Sequence, residues 1–153
     1  MTYTLALCQM PVAEDKEINI ATAQQYIREA ARKADIIILP EMWSCPYGAV
    51  NFPIYAEPAE GPVNRAMAKA ARQAGRILIA GSVPEVTDGH VYNTSYVYDA
   101  GGKVIAKHRK AHLFDIDVDG GIRFCESDTL TAGDHATVFG TPFGKIGLGI
   151  CYD

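Results

Sequence analysis

The sequence predicts an α/β protein built on a layered sheet with mixed strand directions. Apolar runs of strand length at residues 3–9, 35–39 and 76–83 alternate with two segments of helical periodicity. That order is the pattern of strands joined by crossover helices. Beyond residue 83 the spacing changes to strands separated by the tight turns Asp88-Gly89 and Ala100-Gly101-Gly102, a signature of antiparallel hairpins.

Residues 3–9 alternate as a strand. Residues 18–33 are rich in Ala, Gln, Glu and Arg, with Ile20, Ala23, Ile27 and Ala30 at helical spacing. Asp35-Ile36-Ile37-Ile38-Leu39 is continuously apolar after its first residue, which suits a strand covered on both faces, and Pro40 stops it. Residues 42–60 carry Pro46, Gly48, Pro53 and Pro58 among aromatics and read as a long ordered loop. A second helix starts at Gly61-Pro62, with proline in its first turn, and ends at Gly75. Residues 76–83 form a buried strand, followed by strands at 91–99 and 103–108. Residues 110–133 read as irregular. Residues 136–141 and 145–150 form a last hairpin around Pro142-Phe143-Gly144.

Composition narrows the function. The chain has 153 residues, 48% of them hydrophobic, with a net charge of −4, enough for one domain with a real core. It contains no run of Lys or Arg, which argues against nucleic acid and anionic membranes as partners. The apolar stretches are too short to span a bilayer. Met1-Thr2-Tyr3 lacks a basic leader region, and Gln9 and Pro11 interrupt the first apolar run, so the expected location is the cytoplasm. Cys8, Cys45, Cys125 and Cys151 show no CxxC pairing and are expected as reduced thiols.

Ligands of open α/β sheets sit beyond the strand tips, and three reactive side chains fall there. The segment Gly144-Lys145-Ile146-Gly147-Leu148-Gly149-Ile150-Cys151 reads as a strand that delivers a thiol at its tip. Glu41 follows Ile37-Ile38-Leu39-Pro40, where a carboxylate is costly unless it is paired or used. Lys110 closes the basic cluster Lys107-His108-Arg109-Lys110. Each has an ordinary alternative: a buried small hydrophobe for Cys151, a solvated loop acid for Glu41, a charged sheet edge for Lys110.

Taken together, Leu39-Pro40-Glu41, Tyr92-Asn93, His108-Arg109-Lys110 with His112-Leu113-Phe114, and Gly147-Leu148-Gly149-Ile150-Cys151-Tyr152-Asp153 resemble the nitrilase, or carbon–nitrogen hydrolase, superfamily. The resemblance runs through the whole chain. Cys45-Pro46-Tyr47-Gly48, Phe52-Pro53, Tyr55-Ala56-Glu57 and the segment from His112 to Val118 look most like its omega-amidase branch. That branch hydrolyses the amide of 2-oxo-dicarboxylic monoamides. The resemblance implies an α-β-β-α sandwich, of which this chain matches the N-terminal half with a mixed sheet and two main helices. It also implies Cys151 as nucleophile, Glu41 as general base, Lys110 as the cation at the tetrahedral intermediate, and Glu126 as the carboxylate that holds the lysine and assists proton traffic. Other amidases, nitrilases and N-carbamoyl hydrolases of the superfamily are the alternatives.

The chemistry is coherent on elementary grounds. A thiol with a pKa of about 8.5 is mostly protonated at neutral pH, so a base or cation must favour the thiolate. An amide also needs its oxyanion stabilised and its leaving amine protonated. The backbone N–H of Tyr152 is a candidate second oxyanion donor, and Tyr47 is a candidate pocket wall or substrate donor whose alternative is an ordinary packed aromatic.

A calcium-binding reading uses the same residues. Asp115, Asp117, Asp119, Gly120 and Glu126, with Ile122, satisfy the EF-hand loop pattern. Its context is poor: Ser127, Thr129, Thr131 and Gly133 make a weak exiting helix. His108 and His112 flank a strand end rather than share a helix face, and His90 and His135 read as turn residues. No phosphate loop or dinucleotide fingerprint occurs, so neither cofactor nor metal is expected, and the partner is a small-molecule amide. Superfamily members are nearly twice as long, so residues 1–153 are read as a single domain cut just after the nucleophile. On that reading an isolated piece of this length is an inactive fragment, and the complete protein is a homo-oligomer.

Overall fold

Ile36-Ile37-Ile38 is the centre from which the architecture grows. In the computed structural model, which describes residues 2–153, these three residues form β2 (Ile36–Ile38). They pair in parallel with β1 (Leu5–Leu7) on one side and β3 (Ile77–Ile79) on the other. Between them run the crossover helices α1 (Lys16–Ala30) and, after the short α2 (Phe52–Tyr55), α3 (Pro62–Ala74). Asp15 caps α1 by accepting the Glu17 amide at 2.8 Å. Gly75, at φ 62°, ends α3 in the left-handed conformation that glycine adopts without strain.

The rest of the sheet is antiparallel. β4 (Val83–Thr87) and β3 share one edge of the long strand β5 (His90–Tyr98), and β6 (Val104–Arg109) takes the other edge. Side chains alternate between two covered faces. Ile37, Leu78, Tyr96 and Tyr98 pack under α1 and α3 with Ile27, Met67 and Ala71. Ile36, Ile77, Ile79 and Val97 face the other way, onto Phe139, Ile146 and Leu148 of a separate hairpin, β9 (Thr137–Thr141) with β10 (Gly144–Leu148). The layers are therefore helix, sheet and hairpin. Among the described residues no helix is long and apolar enough to cross a membrane.

Four details differ from the sequence expectation. The strand expected at 76–83 breaks after Ile79 and resumes at Val83, because Gly81 turns to φ 57°. A Cβ at Gly81 would overlap the Pro40 carbonyl oxygen, so the kink lets the two backbones meet. Residues 42–60 contain α2 and a bridge between Glu57 and Glu85 within the expected loop. Residues 110–133 are not wholly irregular: β7 (Asp115–Asp117) and β8 (Arg123–Cys125) form a hairpin whose three-residue strands are too short to show a period in the sequence. Finally, β10 ends at Leu148, and residues 149–152 turn.

A buried carboxylate stitches the antiparallel half together. Glu85 on β4 accepts Lys107 at 2.7 Å, Arg109 at 2.6 Å and Thr87 at 2.8 Å, together with the Tyr96 hydroxyl. Burial pushes its pKa up, but the bonds from Lys107, Tyr96, Arg109 and Thr87 outweigh this and hold it at about 2. Because the folded value is depressed, its stabilisation is complete above the unfolded value of about 4.3 and is lost as pH falls toward 2. Urea denaturation should show stability declining across that window, and Glu85→Gln should flatten that part of the profile. Gly81→Ala should lower stability by well over 1 kcal/mol, since it combines a left-handed backbone with a backbone clash, and the melting temperature should drop by several degrees.

Candidate active site

The chain ends of β2, β6 and β10 lead to one place. Leu39 and Pro40 leave β2 and are fixed to the Gly81 kink: the Leu39 amide donates to the Ile79 carbonyl at 3.0 Å and the Ser82 amide to the Pro40 carbonyl at 3.1 Å. The Ser82 hydroxyl accepts the Met42 amide at 3.1 Å, and the buried Trp43 indole donates to the Ala80 carbonyl at 2.8 Å. Glu41 thus hangs on a backbone held on both sides. Its Oε1 accepts Asn93 Nδ2 at 2.8 Å and Lys110 Nζ at 2.9 Å.

Lys110 is the first residue after β6 and is fully buried. Its amide donates to the Asn93 carbonyl at 2.9 Å and its carbonyl accepts the Gly133 amide at 2.8 Å. The Nζ lies 2.9 Å from Glu41, and 3.1 and 3.0 Å from the two oxygens of Glu126. Burial works against its charge, yet the bonds and negative charges of Glu41 and Glu126 prevail and raise its pKa above the ordinary lysine value.

Glu126 is also fully buried, at the start of a 3₁₀ turn, Glu126–Asp128, just after β8. Oε1 accepts the Tyr47 hydroxyl at 2.7 Å and Oε2 the Phe114 amide at 2.7 Å, and each contacts Lys110. Both of its oxygens are engaged, Oε1 by two hydrogen bonds and Oε2 by one with the Lys110 ammonium beside it. Glu41 uses only one oxygen for its bonds to Asn93 and Lys110, and it lines the same two cavities as the Cys151 thiol.

Cys151 sits on the turn beyond β10 rather than at a strand tip, with φ 49°, a conformation costly for a non-glycine residue. Its pKa is raised, first by burial and then by the charge of Glu41, with Lys110 pulling the other way. Lys110 brings one positive charge and the two carboxylates two negative ones, so Cys151 rests as a thiol beside a carboxylate rather than as an ion-paired thiolate. Among the described residues the Tyr152 amide has no protein acceptor, and the exposed Tyr152 ring meets Phe114 edge-on at 5.8 Å.

Two cavities share Glu41 and Cys151. One, about 310 Å³, lies between the ends of β2 and β3 and the inner face of β10, with Ile38, Ser82, Ser95 and Leu148 in its walls. The other, about 600 Å³, is walled by Tyr47, Phe114, Ile122 and Phe124. Tyr47 stacks on Phe124 at 5.6 Å and meets Phe52 edge-on at 5.4 Å. Burial and the hydrogen bond to Glu126 raise its phenol well above the usual tyrosine range. Its ring is the pocket wall that the sequence pointed to, while its hydroxyl serves Glu126.

Of the six residues singled out in the sequence, Glu41, Tyr47, Lys110 and Glu126 are joined by hydrogen bonds and ion pairs, Cys151 shares two cavities with Glu41, and Tyr152 follows it with its ring on Phe114. The calcium reading does not survive: Asp115 accepts the Ser127 amide at 3.0 Å, Asp117 pairs with Arg123 at 3.4 Å, and Glu126 is spent on Lys110, Tyr47 and Phe114. These residues lie on and beside a hairpin, and their carboxylates do not converge. Among the described residues no group of three or more His, Cys, Asp or Glu side chains is placed to hold a metal ion. Two residues escaped the sequence reading. Asn93 orients Glu41 from within β5, and Asp153 bonds to the backbone beyond Lys110. Nothing in a lone Asn or Asp marks such a role; only the Tyr92-Asn93 and Cys151-Tyr152-Asp153 motifs drew the eye there.

The carbon–nitrogen hydrolase family profile matches residues 4–153. Omega-amidase NIT2 of Mus musculus is 46% identical over 153 residues, covering 99% of this chain and 55% of that protein. Omega-amidase NIT2 of Xenopus tropicalis is 47% identical over 152 residues, with the same 99% and 55% coverage. The crystal structure of Saccharomyces cerevisiae Nit3, a member of branch 10 of the nitrilase superfamily, superposes with a TM-score of 0.85 at 32% identity, over 98% of this chain and 55% of that one. The chain thus spans about half the length of the relatives it matches. Its mixed sheet and helices are those of the superfamily fold, as the sequence indicated.

The charge balance around the thiol makes a direct prediction. Alkylation of Cys151 by iodoacetamide, followed by peptide mass mapping, should rise with pH to a midpoint above that of an ordinary thiol. Glu41→Gln should move that midpoint down, because it removes a charge that disfavours the thiolate. An unmoved midpoint would separate Glu41 from the thiol.

Proposed function

The chain belongs to the carbon–nitrogen hydrolase family, and from that premise we propose that the full-length protein is an omega-amidase, hydrolysing the terminal amide of a small 2-oxo-dicarboxylic monoamide to the dicarboxylate and ammonia. The observation that carries the reading is the buried Lys110 ammonium held between Glu41 and Glu126 beside an exposed cysteine. The relatives at 46–47% identity that are themselves omega-amidases favour this branch over other amidases, nitrilases and N-carbamoyl hydrolases.

The steps follow from the placement of the groups. Glu41 takes the Cys151 proton as sulfur adds to the amide carbon, and the carbonyl electron pair moves onto oxygen. Lys110 and the Tyr152 amide are the donors for that oxyanion. Collapse breaks the C–N bond, and the nitrogen leaves as ammonia with the proton held by Glu41. Water, deprotonated by Glu41, then adds to the thioester; the sulfur departs and recovers the proton. Glu126 holds Lys110 charged and aimed without trading protons itself. The apolar wall of Tyr47, Phe114 and Phe124 packs the substrate's short methylene chain. Cytoplasmic residence and self-association of the full-length protein belong to the same proposal.

In the full-length protein, ammonia release from 2-oxoglutaramate should exceed that from simple nitriles or N-carbamoyl amino acids. Cys151→Ala should lower turnover by at least about 10³-fold with an unchanged far-UV circular dichroism spectrum. Turnover of nitriles alone removes the branch assignment, and retained activity in the alanine variant removes Cys151 as nucleophile.

A further inference from the structure

The turn carrying Cys151 needs something to hold it. A cysteine at φ 49° is strained and persists only where its surroundings over-determine it. The side chain of Asp153, only 9% exposed, supplies that constraint. Its Oδ2 accepts the Ile150 amide at 2.9 Å, while its own amide donates to the Ile150 carbonyl at 3.1 Å, so the turn is closed from both sides of the cysteine.

The same carboxylate reaches across to the segment that bears the lysine. Oδ1 accepts the amides of Ala111 and His112, each at 2.9 Å, and contacts His112 Nδ1 at 3.2 Å. Oδ2 also pairs at 2.9 Å with Nε2 of the buried His108, whose Nδ1 lies 3.0 Å from the Thr137 hydroxyl on β9. Its partners thus stand at 108, 111 and 112, on either side of Lys110, and at 150, next to Cys151. Burial opposes its charge, but the bonds from His108, His112, Ile150 and Ala111 outweigh this and hold the carboxyl well below the usual carboxylate range, so it stays an acceptor at any working pH.

We propose that Asp153 is the positioning residue of the nucleophile: by bonding at once to the Cys151 turn and to the backbone flanking Lys110, it fixes the thiol against Glu41 and the lysine ammonium. It touches no reacting atom. The claim deepens the reading of Cys151 as nucleophile, and rests on that reading only for its effect on turnover.

The test reads geometry through chemistry that needs no substrate. In the full-length protein, Glu41→Gln lowers the pH midpoint of Cys151 alkylation, as argued above. In an Asp153→Asn background, which keeps the size and loses the charge, that coupling should vanish and the midpoint should lie near that of an ordinary thiol. With the amide substrate, kcat should fall by up to about 10²-fold while KM stays within about twofold, because the Tyr47–Phe124 wall is untouched. His108→Phe, which removes one bond to Asp153 and retains a buried ring, should weaken the coupling partially. A folded Asp153→Asn protein with the wild-type midpoint and the wild-type response to Glu41→Gln overturns the proposal. Loss of fold in both variants, seen by circular dichroism, overturns it too, since Asp153 would then hold the fold rather than the turn. A wild-type protein that shows the Glu41 coupling yet does not turn over the amide would instead count against the proposed activity and leave the coupling test of Asp153 standing.

Discussion

The structure around the site depends on one buried ion cluster, the Lys110 ammonium between Glu41 and Glu126. A lone ammonium in the interior would lose its proton or open the fold, and a lone carboxylate would do the same with opposite sign. Two carboxylates on one lysine overcompensate the charge, and the excess is absorbed by neutral donors: Asn93 on Glu41, and Tyr47 and the Phe114 amide on Glu126. Each of these arrives from a different part of the chain, so the cluster is also a long-range clasp. Residues 41, 47, 93, 114 and 126 share its bonds.

Backbone placement makes the clasp possible. The Gly81 kink brings β3 against Pro40 and sets the height at which Glu41 leaves the sheet. On the lysine side, Gly133 lies so close to the Arg109 carbonyl that a Cβ would overlap it, and its amide closes on Lys110 itself. Both glycines are remote in sequence from the groups they position. Rigid strands end at these points, so the charged groups inherit the precision of the sheet rather than the freedom of a loop.

The legible parts of the sequence were those with a local cause. The Ile36-Ile37-Ile38 run, the proline at 62 with the glycine at 75, and the Asp88-Gly89 turn each carry their own backbone preference, and the structure follows them. The candidate site residues came from a different signal, reactive side chains at strand ends reinforced by motif resemblance, and the structure gathers Glu41, Tyr47, Lys110, Glu126 and Cys151 around shared bonds and cavities. What could not be read had a distant cause. The break at Gly81 is a contact with Pro40, and the strands of the β7–β8 hairpin are only three residues long, so neither leaves a periodic trace. The calcium-loop pattern failed for a related reason: spacing along the chain says nothing about direction, and these carboxylates point to separate partners.

The two glutamates share the lysine but differ in occupancy, and that difference assigns their work. Glu126 is fully buried with both oxygens engaged by Tyr47, Phe114 and Lys110, so accepting a proton would disturb these contacts inside a dry interior. Glu41, partly open to solvent, holds Asn93 and Lys110 on one oxygen and lines the cavities that Cys151 lines, so in the proposed reaction a proton can arrive on its other oxygen without cost to the clasp. Identical side chains with unequal environments then divide into a fixed counter-charge and a proton carrier. The raised thiol fits this division, because a sulfur that keeps its proton until a base takes it must be deprotonated by a neighbour as it attacks. Glu41 is the neighbour with the room to do so.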